Sequence, residues 1–257
     1  MTGISRAPSA RDHLLLRDQG LRGPAAADPW LPSVHHSVAP PFDLVERLLR
    51  GIARRWQRER RRRKVGRAYD MALEIARVVP RGSEVLDAGC GNGFIAHHLS
   101  AMLGTSVLGI DLGETADAAI DYCRYDGAEF PVLDNSFDAV TLCYVLHHAQ
   151  DVRLMLNEMR RVLRDAGLAV IYEDIPQTWW DRLVCKFHNL QWRARTGPCT
   201  FRRESEWRLL FESFGFELIS ERPLSRWRNL THPVSRRFYV FSKNSIDPVC
   251  TATKQAR

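Results

Sequence analysis

The stretch Glu84-Val85-Leu86-Asp87-Ala88-Gly89-Cys90-Gly91-Asn92-Gly93-Phe94 carries an acid near the end of an apolar run and follows it with three alternating glycines. Residues without a Cβ let a chain turn sharply and approach a ligand closely. The spacing separates two cofactor classes. A dinucleotide fingerprint reads G-x-G-x-x-G, whereas here the third glycine comes one residue early and Phe94 stands where that pattern places its last glycine. The other reading of such a triplet is a purely structural turn. Asp111 ends the next apolar run, where a carboxylate can accept both hydroxyls of a ribose. Asp126-Gly127 ends the run after that, and equally reads as an ordinary turn. Groups able to accept a proton follow: His147, His148, Glu173, Asp174 and His188. His148 and Glu173 are the candidates for catalysis, and a structural role is the competing reading for each histidine. Glu173, Asp174 and His188 lack the ligand spacing of a known site, so no metal is expected.

For these groups to meet, strand ends must be brought together. Strand-like runs at Glu84–Ala88, Ser106–Ile110, Ala119–Tyr125, Ala139–Tyr144 and Leu168–Tyr172 alternate with helical stretches. That order predicts a doubly wound, mostly parallel α/β sheet that binds ligands at the carboxyl ends of its strands. Phe216–Glu221 and Arg237–Ser242 close it at seven strands. A helix from Asp151 to Leu163 starts on an Asp cap, and another from Glu204 to Phe214 stops at Gly215. Only residues 112–118, LGETADA, join the second strand to the third. An average helix takes about 11 residues, so a single turn or no helix is expected there. Residues 174–203 read as an irregular insertion holding Trp179, Trp180, Phe187, His188 and Trp192. These aromatics either line a pocket for a flat or hydrophobic acceptor or form the core of a small cap.

Ahead of the sheet, residues 1–40 read as a disordered arm, residues 41–82 as helices with a basic run, and residues 244–257 as a loose tail behind a domain at 83–243. Phe42, Val45, Leu48, Leu49, Ile52 and Trp56 make one apolar stripe, and a second helical stretch, Ala68–Val79, stops at Pro80-Arg81-Gly82. The formal charge of +7 sits in residues 54–64, RRWQRERRRRK. Taking its eight basic residues from 37 and its one Glu from 30 leaves 29 of each sign. An anionic partner would therefore meet one short segment and not a basic domain. The six cysteines form no CxxC pair and read as reduced thiols of a cytoplasmic protein. No signal peptide or membrane span is legible.

In order and spacing, VLDAGCGNG, GIDLG, YDGAEFP, LDNSFDAV, VLHHAQD and RRVLRDAG resemble the class I S-adenosylmethionine-dependent methyltransferases, in their type 11 group. The resemblance implies a Rossmann-like fold with S-adenosyl-L-methionine as cofactor. It places Asp87, Gly89, Cys90, Gly91, Asn92 and Gly93 around the methionine portion, Asp111 on the ribose, Leu112 against the adenine, Asp126 and Gly127 at the adenine amino group, and Tyr144 near the sulfonium. A small-molecule or lipid-like acceptor, methylated by in-line transfer, would then lie against His147, Asp174, Trp179, Trp180 and His188. A nucleic-acid methyltransferase is the alternative suggested by the arginine run. Against it, Tyr144-Val145-Leu146-His147 stands where amino-methylating enzymes carry [DNS]-P-P-[FYW]. A cofactor-binding protein without turnover is the other alternative. The helix from Phe42 to Lys64 either caps the cofactor or attaches the protein peripherally to an anionic membrane.

Overall fold

The computed structural model describes residues 41–244; the expected arm at 1–40, the tail beyond 244 and Cys250 lie outside the described residues. The chain divides into two compact units at Arg50/Gly51. In the first unit residues 41–50 are helical, with Val45, Leu48 and Leu49 exposed.

Within residues 51–244 the organising element is a seven-stranded sheet. Its strands are β1 (Val85–Ala88), β2 (Val107–Asp111), β3 (Asp121–Arg124), β4 (Phe137–Cys143), β5 (Leu163–Asp174), β6 (Phe216–Leu224) and β7 (Arg236–Lys243), in the order β3-β2-β1-β4-β5-β7-β6. The first five run parallel, while β7 pairs antiparallel with both β5 and β6. Strand order reverses between β1 and β4. There the crossovers diverge and leave a crevice at the carboxyl ends, where open α/β sheets take ligands.

Strand periodicity sorts side chains to two cores. Leu86, Val140, Leu142, Ala169, Ile171, Tyr239 and Phe241 face one side, with Leu156, Met159, Trp207 and Phe211. Val85, Ala139, Val170, Tyr172, Phe238 and Val240 face the other, with Met71, Ala72, Ile75, Ala96, Leu99 and Leu103. Helix α1 spans Pro41–Ile75, α2 Phe94–Leu103, α3 Val152–Val162, α4 Trp179–Thr196 and α5 Glu204–Ser213. Asp151 caps α3, accepting from the amides of Arg153 and Leu154 at 2.9 and 3.1 Å. Residues 112–120 hold no helix, in line with the short link between β2 and β3.

Two expectations need correction. The two helices expected within 41–82 are one, ending at Ile75 rather than Val79. The break signal between the two expected stretches, Gly66, is exposed with nothing near its missing Cβ, as is Gly51 earlier in the helix. A lone glycine costs about 1 kcal/mol in a helix, and the buried Ala68, Met71, Ala72 and Ile75 outweigh it. The insertion at 174–203 is not irregular, because α4 takes up eighteen of its residues. Its start is a capping box: Thr178 accepts from the Asp181 amide at 3.1 Å, and Asp181 accepts from the Thr178 amide at 3.0 Å. Asp181 also accepts from the Ser235 amide and hydroxyl at 3.1 and 2.9 Å, which ties α4 to the loop before β7.

Urea unfolding followed by tryptophan fluorescence should separate these bonds. Thr178→Ala should cost about 1 kcal/mol, as loss of a cap does. Asp181→Ala should cost more, roughly 3 kcal/mol, because it leaves several buried donors without an acceptor.

Candidate functional site

The register that pairs Asp87 with Thr141 puts both side chains on the same face of adjacent strands. Thr141 Oγ1 donates to Asp87 Oδ1 at 2.7 Å, while Asp87 Oδ2 is buried with no hydrogen-bond partner among the described residues. Burial pushes the carboxyl up to about 6, against the hydrogen bond from Thr141, with the Asp111 charge adding to the rise. An acid held this way is set to receive a cation or a donor from a ligand.

Beyond Asp87 the loop is pinned to β2: the amides of Gly89 and Cys90 donate to the Ile110 carbonyl at 2.8 and 3.1 Å. Gly89, at φ 74°, lies against the Val145 side chain so closely that a Cβ would meet it at 2.4 Å. Gly91, at φ 56°, faces open space. The protein therefore keeps clearance at one glycine for its own packing and at the other for something else. Cys90 is buried, and burial pushes its thiol up. Asn92 is held between Lys64 of α1 and Asp117. Gly93 ends the loop in a left-handed conformation at the start of α2.

At the end of β2, Asp111 accepts from the amides of Gly91 and Gly113 at 2.8 and 3.2 Å, so the glycine loop and the strand-end acid form one unit. Leu112 is half exposed and stands beside Gly127, within 3.2 Å of where a Cβ would be. Asp126 accepts from the Ala128 amide at 2.9 Å in a turn of its own. Tyr144 directly follows β4 at φ 63°, a strained conformation for a side chain of this size. Arg236 lies over its ring at 5.4 Å. The cofactor candidates thus share the carboxyl edge. The cradle of glycines, the orphaned Asp87 oxygen and the strand-end acids fit an amino-acid nucleoside.

The remaining candidates separate into two groups. His147, Glu173 and Asp174 are fully buried. His147 Nδ1 pairs with Glu173 Oε1, which also accepts from the Asp174 amide at 2.9 Å. Burial opposes charge on His147, but Glu173 outweighs it and raises its pKa. Asp174 pairs with His232 at 2.9 Å and with Arg236 at 2.9 Å, and these partners overcome burial to hold its carboxyl low. His148 and His188 meet at 3.2 Å through their Nε2 atoms. Burial, then the neighbouring histidines, pull them down to about 3 and about 4. His148 is therefore a neutral ring and a weak base, and Glu173 is engaged by His147. Phe201 stacks on His147 at 4.8 Å, and Trp192 packs against His148 at 5.5 Å.

Trp179 and Trp180 do not join this group. Trp179 is 73% exposed, and Trp179, Leu183, Phe187 and Leu190 form an outward stripe along α4, opposite Asp181 and His188. The tryptophans make neither a pocket lining nor a cap core. Thr141, Cys199, Phe201, His232 and Arg236 escaped the sequence reading. Only Thr141 had a signal, as the position across from the acid that ends β1.

A parallel sheet with its order reversed beside a glycine loop and flanked by strand-end acids defines the Rossmann-like class of cofactor-binding domain. Residues 86–171 match the family described as "Methyltransferase domain". The ubiquinone/menaquinone biosynthesis C-methyltransferase UbiE of Stenotrophomonas maltophilia is 31% identical over 213 residues, covering 76% of this chain and 79% of that protein. The 2-phytyl-1,4-naphtoquinone methyltransferase of Synechococcus elongatus is 32% identical over 53% of this chain. The chain spans only 60% of that relative's length. Among solved structures, an S-adenosylmethionine-dependent methyltransferase from Methanosarcina mazei superposes with TM-score 0.53 at 20% identity, over 66% of this chain and 96% of that one. The 4+2 cyclase SpnF superposes with TM-score 0.56 at 17% identity, over 68% and 80%. The chain belongs to the S-adenosylmethionine-dependent methyltransferase family.

The Asp87 carboxyl carries a stability consequence whose sign runs opposite to that of a salt-bridged acid. Its folded pKa of about 6 exceeds the ordinary 3.8, so ionisation opposes folding, by an amount that grows from pH 3.8 and is complete above pH 6. Asp87→Asn should unfold at higher denaturant than the parent at pH 7.5, by on the order of 3 kcal/mol. The advantage should fade toward pH 4. Denaturant midpoints across this range check it.

Proposed function

We propose that this protein transfers a methyl group from S-adenosyl-L-methionine to a hydroxyl-bearing aromatic ring of the quinone type, carried on an apolar tail. The observation that carries this reading is the extended similarity to a quinone C-methyltransferase over three quarters of the chain. When bound, the cofactor supplies an electrophilic methyl on a cationic sulfur.

The chain's own residues do the rest. Asp87, with its unpaired oxygen, would receive the cofactor's ammonium group, and Asp111 would accept from the ribose hydroxyls while its loop amides hold it in place. Gly91 keeps clear the space that a side chain would fill. Tyr144 and the histidine group after β4 would bound the acceptor. A ring carbon that takes a methyl must release a proton, and a ring hydroxyl that gives up its own proton leaves charge on the ring that makes the carbon more nucleophilic. In this reading the histidine group would lie beside that hydroxyl.

Delivery of such an acceptor favours an anionic membrane surface over a nucleic acid as the partner. In α1, Ile52 and Trp56 are 65% and 63% exposed and lead into the arginine run. In α4, the exposed stripe of Trp179, Leu183, Phe187 and Leu190 is flanked by exposed Lys186 and Arg193. Apolar residues beside basic ones on an exposed helix suit the boundary of an anionic bilayer. Among the described residues no helix is long and apolar enough to cross a membrane.

Three measurements test this. Calorimetry should show binding of S-adenosylhomocysteine and none of NAD. Asp111→Ala should weaken that binding about 10–100-fold, the equivalent of roughly 1.5–3 kcal/mol, and Gly91→Val should abolish it while the far-UV spectrum stays unchanged. Chemically reduced 2-phytyl-1,4-naphthoquinone, incubated with methyl-labelled cofactor, should yield a carbon-methylated product, and labelling of RNA instead would reject the acceptor. The protein should sediment with anionic and not neutral vesicles, and changing Arg60, Arg61, Arg62 and Arg63 to Gln should cut that recovery at least about tenfold.

A further inference from the structure

Two elements bring three histidines together at the carboxyl edge. His147 and His148 stand on the short turn after β4, His188 on the inward side of α4, and one ring nitrogen of each lies within 4.8 Å of the other two. The Nε2 atoms of His148 and His188 are 3.2 Å apart. Ligands about 2.0–2.1 Å from one tetrahedral ion stand about 3.3 Å from each other. Two imidazoles alone could meet at this distance through an N–H···N bond. The third ring goes further. His147 is buried, its Nδ1 is taken by Glu173, and its Nε2 has no hydrogen-bond partner among the described residues. A histidine with one nitrogen on a carboxylate and the other open is the arrangement in which proteins present imidazole to a metal.

We propose that His147, His148 and His188 hold a divalent ion of the zinc type through their ring nitrogens, with one coordination position left open to an oxygen ligand. Imidazole sets suit zinc, and three protein ligands with a free fourth position are the catalytic form of its site. Glu173 is a positioning residue that fixes the His147 ring. On the other ring, His148 Nδ1 lies 3.2 Å from Thr196 Oγ1 and 3.4 Å from Cys199 Sγ, so its outer nitrogen is also held. The ion would staple α4 to the end of β4. At the open position it would polarise a bound hydroxyl and make it more acidic. That last role rests on the acceptor reading given above; the binding of the ion does not.

The test uses the untagged full chain, stripped with a chelator, with neither cofactor nor acceptor present. Zinc chloride titrated against a chromophoric competitor should load one ion per chain and raise the thermal midpoint. Cobalt(II) in its place should give the strong visible absorption of a tetrahedral ion. His188→Gln should lose at least about 100-fold in affinity, and Glu173→Gln about 10–100-fold at unchanged stoichiometry. Uptake well below one ion per chain, or uptake indifferent to His188→Gln, overturns the proposal. If that variant does not fold, the parent's cobalt spectrum decides, and a pale octahedral spectrum overturns it. Stoichiometric zinc without methylation of the hydroquinone leaves the site standing and removes only the acceptor.

Discussion

A buried carboxylate, one oxygen of which has no partner among the described residues, governs the carboxyl edge of this protein. Hydrogen bonding from Thr141 and the Ala96 backbone does not offset the cost of burying the charge of Asp87. The sheet around it supplies what the position needs. Parallel pairing on both sides fixes β1, and the glycine loop is tied to the end of β2 by two amides. Stability given up at one residue is supported by a rigid surround, as expected where a protein keeps a polar group ready for a ligand.

The same edge shows how fold and chemistry part company. SpnF shares the architecture and is a 4+2 cyclase, so the sheet alone does not set the reaction. The chemistry must then come from side chains at the carboxyl edge, where the segments after β4 and β5 lie. Here those segments hold His147, His148 and the start of α4, and Asp174 ends β5. The rings of His147, His148, His188 and His232 and their acidic partners form one contiguous network, with His147 buried and the other three partly buried.

Much of this was legible in the sequence because it depends on local pattern. The alternation of strands announced the sheet, and the glycine triplet and strand-end acids lie together at its carboxyl edge as their spacing implied. Asp151 was legible as a cap because it precedes an apolar period. The acceptor side was not legible, since its geometry depends on contacts distant in the chain. Nothing near Glu173 announces that it faces His147 rather than a substrate, and nothing near Asp174 announces Arg236 and His232. Trp179 and Trp180 misled because aromatic clustering does not reveal the side of a helix. The capping box at Thr178 and Asp181 would have revealed the helix, and its spacing the outward stripe.

The missing helix between β2 and β3 also bears on how molecules of this protein meet one another. β3 is the last strand on its side of the sheet, is four residues long, and loses on one face the cover a crossover helix gives. An uncovered edge is a template for another chain's strand. Its first and last residues, Asp121 and Arg124, are exposed and of opposite sign, and Arg124 pairs with Glu114. A strand so brief and so charged offers an incoming chain few free backbone groups and a desolvation penalty at both ends. The shortened link therefore leaves the sheet edge guarded by charge in place of cover.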